Sequence, residues 1–148
     1  MQIIAPNHES CVENVHRYTP KAVLDSSEAR FHTCLISLCK DRCHVLCKPQ
    51  LTDVFDHHDG IGFNKISQKH IDFLVCRQHD WLPMLGIELD DNSTARDNVR
   101  CRDTYVNELF ACTGIPLIRI HVNEVEEIEV LVEKLTLAWR RRACSLVG

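Results

Sequence analysis

His70-Ile71-Asp72-Phe73-Leu74-Val75 and Pro83-Met84-Leu85-Gly86-Ile87-Glu88-Leu89-Asp90 are two apolar runs, each with carboxylates set into it. Their length and their polar boundaries read as buried strands over about 70–76 and 83–90. The connection from Arg77 to Asp80 is short, which predicts an antiparallel pair. A carboxylate buried in such a strand is costly unless a metal, a cation or a dense set of hydrogen bonds accompanies it. Asp72, Glu88 and Asp90 on two neighbouring strands therefore predict a divalent-cation site with oxygen ligands.

Upstream, Asp25 followed by Glu28 is a capping-box pattern, and Phe31, Cys34, Leu35, Leu38 and Cys39 recur at helical spacing. A first helix is expected over about 26–40. His44-Val45-Leu46-Cys47 reads as a short strand ended by Pro49, and Asp53 to Asn64 as a polar, glycine-bearing loop. Downstream, Asn92, Ser93 and Thr94 suit the N-cap of a second helix over about 95–113, with Val99, Val106, Leu109, Phe110 and Cys112 as its apolar side. Gly114 and Pro116 stop that helix. Pro116 to Val122 is then a fourth strand, joined to the third by a parallel, right-handed crossover. Asn123 with Glu126 caps a last helix whose core stripe is Val125, Ile128, Leu131, Leu135 and Trp139. Residues 1–24 read as an irregular arm and 25–148 as one domain. The expected fold is α/β: a mixed four-stranded sheet flanked by helices, with an extra C-terminal helix.

A chain of 148 residues is long enough for one domain with a real core. Its 45% hydrophobic and 26% charged residues match an ordinary globule, and no stretch approaches the roughly 20 apolar residues that span a bilayer. Met1 to Pro20 lacks the apolar core of a signal peptide, so a cytoplasmic location and no membrane partner are expected. The nine cysteines are odd in number and scattered, which argues against a disulfide framework. Cys34, Cys39, Cys43 and Cys47 do not give a zinc finger its knuckle spacing on both arms, and the first two fall on the apolar helix face, where free cysteine acts as a small hydrophobe. A net charge of −4 gives no global attraction to nucleic acid. A local basic surface would draw on Lys65, Lys69, Arg96, Arg100, Arg102 or the Arg140-Arg141-Arg142 run. That run reads rather as cations at a helix C-terminus, a placement favourable by itself.

The Asp72 … Glu88-Leu89-Asp90 arrangement, on consecutive strands of an αβββαβ core, resembles the PD-(D/E)XK nuclease superfamily with its restriction-endonuclease-like fold. The stretches from Phe63 to Phe73 and from Ile87 to Asp91 are similar to a bacterial branch of unknown function, related to very-short-patch-repair-like endonucleases. Arg102-Asp103 and Gly114 to Ile120 share that similarity, which spans about residues 25–122. The resemblance implies hydrolysis of nucleic-acid phosphodiesters, DNA foremost, with Mg²⁺ or Mn²⁺. Asp72 and Glu88 are implied as metal ligands, the Leu89 carbonyl as a third, and Glu28 as the first-helix acid. The metal would bind a phosphate oxygen and lower the pKa of a coordinated water. Superfamily nucleases that cut both strands often pair two active sites, so a homodimer is in keeping.

Two positions depart from that pattern. Asp90 stands where the superfamily motif has lysine; an aspartate cannot supply the positive charge, although it can hold a second cation. Lys69, Arg96 and Arg100 are the candidate replacements. Thr94 stands where similar proteins carry histidine, which removes a general acid or base. Two functions remain open on these grounds. One is a metal-dependent nuclease with Asp72, Glu88, Asp90 and Lys69 as catalytic residues and Arg96, Arg100 and Arg102 on the nucleic acid. The other is an inert nuclease-like module that binds DNA or a protein. A cysteine-rich zinc domain is a third.

The plainer readings stand beside these. The three acids would also serve an ion-pair network with Arg96, Arg100 or Arg119. Arg102-Asp103 is either an intrahelical pair or a phosphate contact. His57-His58-Asp59 is either a transition-metal group or a solvated loop. His70 and His121 read as hydrogen-bonded strand residues, and Trp81 and Trp139 as packing residues.

Overall fold

The computed structural model describes residues 17–56, 60–90, 104–122 and 128–147. Helix α1 (Ser26–Cys39) starts at the expected capping box: the Asp25 side chain accepts the Glu28 N–H at 2.8 Å, and Glu28 Oε2 accepts the Asp25 N–H at 2.9 Å. It buries Phe31 and Leu35. A single 3-10 turn, Lys40–Arg42, leads into β1 (Cys43–Cys47).

Most of the described residues in the loop expected over 53–64 are helical. Helices α2 (Leu51–Val54) and α3 (Gly60–Ile66) occupy this part of the chain. Glycine costs a helix roughly 1 kcal/mol per residue, but Leu51, Phe55 and Ile66 are buried against the sheet, and that tertiary burial outweighs the local signal.

Strands β2 (Phe73–Arg77) and β3 (Pro83–Asp90) form the expected antiparallel pair. Helix α4 (Thr104–Cys112) crosses to β4 (Leu117–His121), which is parallel to β3. Helix α5 (Ile128–Ser145) closes the order. The sheet runs β1-β2-β3-β4, so the chain is α/β with a mixed four-stranded sheet flanked by helices. The second strand starts three residues later than its apolar run suggests. His70 pairs with Gln50 in an isolated bridge outside the strand, and Asp72 occupies a bend just before β2.

Each sheet face has its own core. On one, Phe31 and Leu35 of α1 and Leu131 and Ala138 of α5 cover Phe73, Val75, Leu85 and Ile87. On the other, α2, α3 and α4 cover Leu74 and Cys76, and Phe55 meets Phe110 edge-on at 5.1 Å. Gly86 belongs to this second face. A Cβ there would lie 2.6 Å from Phe110 Cε1, so α4 packs directly on strand backbone. Helix α4 ends in a Schellman motif: Gly114 takes φ +68, its N–H donates to Ala111 O, and Ile115 N–H donates to Phe110 O.

Two side-chain expectations need correction. Ile128, assigned to the core stripe of α5, is 52% exposed, while Ala138 on the same helix is buried. Trp81 is not a packing residue: it is 54% exposed, has φ +61 and stacks on His44 at 3.7 Å. Arg142 lies in the last turn of α5, as the helix-end reading of the arginine run requires, and donates to Thr113 O at 3.0 Å. Among the described residues no helix is long and apolar enough to cross a membrane.

Candidate functional site

One end of the sheet collects the charged residues. The ladders pair Cys47 with Phe73, Phe73 with Ile87, and Glu88 with Arg119. Continued by one residue, that register sets Lys48, Asp72, Glu88 and Arg119 in a row across all four strands. Two acids stand in the middle and a cation at each edge.

Asp72 is 5% exposed. Its carbonyl accepts the Lys48 N–H at 2.8 Å, and its Oδ2 accepts the Leu89 N–H at 2.9 Å. The carboxylate thus takes the place of the next ladder bond between β2 and β3, which fixes its position without a strand backbone behind it. Leu89, expected as a carbonyl ligand, contributes its N–H here and packs its side chain on the α1 face.

Glu88 points to the opposite face, toward α4. Its Oε2 lies 3.0 Å from Arg119 Nε, and Arg119 Nη2 donates to Asn107 Oδ1 on α4 at 2.7 Å. The Nε–H is not directed along a hydrogen bond to Glu88, so this contact is an ion pair in geometry. Of the arginines named for an ion-pair network, Arg119 is the one this contact brings to an acid. Carboxylates side by side on adjacent strands repel, and Arg119 offsets part of that repulsion.

Glu28 is buried at the start of α1, and its Oε2 also holds Lys48 Nζ at 2.8 Å. Lys48 has φ +50, a left-handed conformation that costs a non-glycine residue about 1–3 kcal/mol and persists only where its surroundings impose it. Here the Asp72 carbonyl and the Glu28 carboxylate both fasten it.

Asp90 is half-buried, two pairs beyond Glu88 and opposite His121 on β4. Lys69 lies in the connection before β2, where its carbonyl accepts the Leu51 N–H at 2.8 Å. Lys65 Nζ sits 4.9 Å from the Tyr105 ring centre, a cation–π contact between α3 and α4. Arg96, Arg100 and Arg102 lie outside the described residues, as do Asp91, Thr94, Asp103 and the His57-His58-Asp59 group. Among the described residues no three His, Cys, Asp or Glu side chains gather as a metal cluster.

Lys48 and Asn107 were not singled out from sequence. Lys48 lies 24 positions before Asp72 and meets it only through the β1–β2 register. Asn107 sits among the apolar residues of α4 without a pattern of its own. The described cysteines are free thiols. Burial pushes the Cys76 thiol up to about 11. It also raises Cys47, where the nearby Glu28 charge adds to the effect.

These features define an α/β chain with paired carboxylates at one end of a mixed sheet, one held by a backbone N–H and the other by an arginine ion pair. The chain belongs to the family described as "Protein of unknown function (DUF2726)", whose model matches residues 20–138. No curated protein and no solved structure matches it.

Proposed function

We propose that this chain hydrolyses phosphodiester bonds in nucleic acid, DNA foremost, with Mg²⁺ or Mn²⁺ held by Asp72 and Glu88. The observation that carries this reading is the side-by-side placement of those two carboxylates at the sheet end, one of them almost fully buried. Their donor chemistry fits a hard cation, which keeps several waters and needs only one or two carboxylates. A bound ion supplies Lewis acidity and a water of lowered pKa.

The chain's own residues do the rest. The Leu89 N–H holds Asp72 in place, and Arg119, steadied by Asn107, holds Glu88. Lys48 brings a positive charge to the row that Asp90 cannot supply. Arg96, Arg100 and Arg102 serve the nucleic acid in this reading, Lys69 is a further catalytic cation, and Asp90 suits a second metal ion.

The Glu88–Arg119 pair favours a second reading, an inert nuclease-like module, because an acid neutralised by arginine has less need of a metal. Supercoiled plasmid incubated with Mg²⁺ or Mn²⁺ separates the two. Metal-dependent nicking that Asp72→Ala/Glu88→Ala abolishes is the result expected of the enzyme. Intact plasmid with folded protein, together with a DNA shift that needs no metal, would sink the nuclease and leave the module.

A further inference from the structure

On the face of the sheet covered by α1 and α5, the two helices leave a cavity of about 370 Å³, open to solvent on one side. Its floor is Val75 of β2 and Leu85 of β3, both almost fully buried. Voids in packed interiors rarely exceed a water molecule, whereas small-molecule sites run from roughly 300 to 1,000 Å³. This cavity belongs to the second class by size.

Its chemistry selects among ligands. The walls are mainly apolar, Leu38 on α1 and Leu135 and Trp139 on α5 among them, and such a surface holds water poorly. Two exposed guanidiniums also line it, Arg42 from the turn after α1 and Arg140 from α5. Arg42 Nη2 donates to Leu38 O at 3.1 Å, which holds that cation at the cavity edge. Arginine stays charged and its fork suits a carboxylate. The Cys39 thiol on the lining brings no competing anion: burial, then its hydrogen bond with Cys43, pushes it up to about 12. A cationic ligand is repelled by the arginines, and a small inorganic anion leaves the apolar walls uncovered.

We infer that this cavity binds an amphiphilic monocarboxylate, its hydrocarbon chain between α1 and α5 and its carboxylate on Arg42 and Arg140. The site lies on the opposite face from Glu88 and Arg119 and does not depend on the proposed hydrolysis.

Calorimetric titration of the whole chain with decanoate and with decanol tests it. Saturable decanoate binding is expected, tighter than that of decanol. Arg42→Gln with Arg140→Gln should weaken decanoate by about tenfold and leave decanol unchanged. Thr136→Trp, at an exposed position on the cavity lining, should abolish binding of both while the melting temperature holds. Four results would overturn the inference: no saturable binding, equal affinity for acid and alcohol, an unaltered double-glutamine variant, or an unaltered Thr136→Trp variant. Uptake confined to decanoate micelles would overturn it too, marking a membrane-like surface as the ligand.

Discussion

The two ends of the β2–β3 hairpin handle charge in opposite ways. At the turn, Arg77 forks onto Asp80, with Nε to Oδ1 at 3.0 Å and Nη2 to Oδ2 at 2.6 Å, and Asp80 also accepts the Leu82 N–H. One acid meets one cation three residues away, in contact with solvent. At the other end, Lys48, Asp72, Glu88 and Arg119 come from four different stretches of chain and are bound in turn to Glu28 on α1 and Asn107 on α4. The turn pair needs only the turn. The row exists only once the fold is complete, and it partly buries charge at a cost that apolar residues would avoid. A fold that keeps such a group offers it as the first place to look for chemistry.

The sharpest way to break that contrast is to neutralise the two acids. Asp72→Asn with Glu88→Gln keeps side chains that accept hydrogen bonds but removes the charge a cation needs. Loss of metal-dependent nicking by about 10³-fold is expected, since metal stabilisation of a transition state is worth several kcal/mol. The paired change at the turn, Arg77→Gln with Asp80→Asn, should leave nicking at the wild-type rate. Equal losses at the two ends would mean that the row has no special role.

A second variant separates the ends by packing. In Gly86→Ala the added methyl meets Phe110 Cε1 at 2.6 Å and Leu117 Cδ1 at 3.1 Å. Overpacking of this kind costs about 1–3 kcal/mol, to be read from urea unfolding. Movement of α4 would carry Asn107 and then Arg119 with it, so hydrogen exchange should rise around Glu88 and stay unchanged at the turn. Arg119→Met comes next in size. It leaves Glu88 beside Asp72 without its cation, and a loss of about 1–2 kcal/mol is expected in the metal-free protein. Mn²⁺ should restore part of that stability if the two acids hold the ion. Thermal melts with and without Mn²⁺ measure both effects.

What could be read in the sequence follows the same division between local and assembled features. The capping box of α1, the antiparallel pair and the parallel β4 all rest on signals within a few residues, and the structure has them. Helices α2 and α3 were hidden because Gly60, Gly62 and the neighbouring polar residues spell a loop, while the burial of Leu51 and Ile66 that overrides them is tertiary. Asp72 and Glu88 were visible as acids in apolar runs. Their neighbours were not: Lys48 reaches the row through the β1–β2 register and through a backbone turned to φ +50, and neither leaves a mark in the spacing of residues. Ile128 misled because a helical stripe does not say where the helix leaves the core.

The smallest effect belongs to the turn, and its pH dependence gives the contrast a sign. The hydrogen bonds from Arg77 hold the Asp80 carboxyl down to about 2, with the Leu82 N–H and the Arg77 charge adding to them. The folded chain therefore binds this proton less readily than the unfolded chain, whose carboxyl keeps a value near 3.8. The contribution of Asp80 is fully present above that value and fades as pH falls toward 2. Asp80→Asn should thus unfold slightly more easily than wild type at neutral pH, and the two should converge at the acid end of the window. An NMR titration of the Asp80 carboxyl gives the folded value directly. A midpoint near that of a free aspartate would show that the fork is too loose to matter, and the turn would then contribute no electrostatic stability to set against the row.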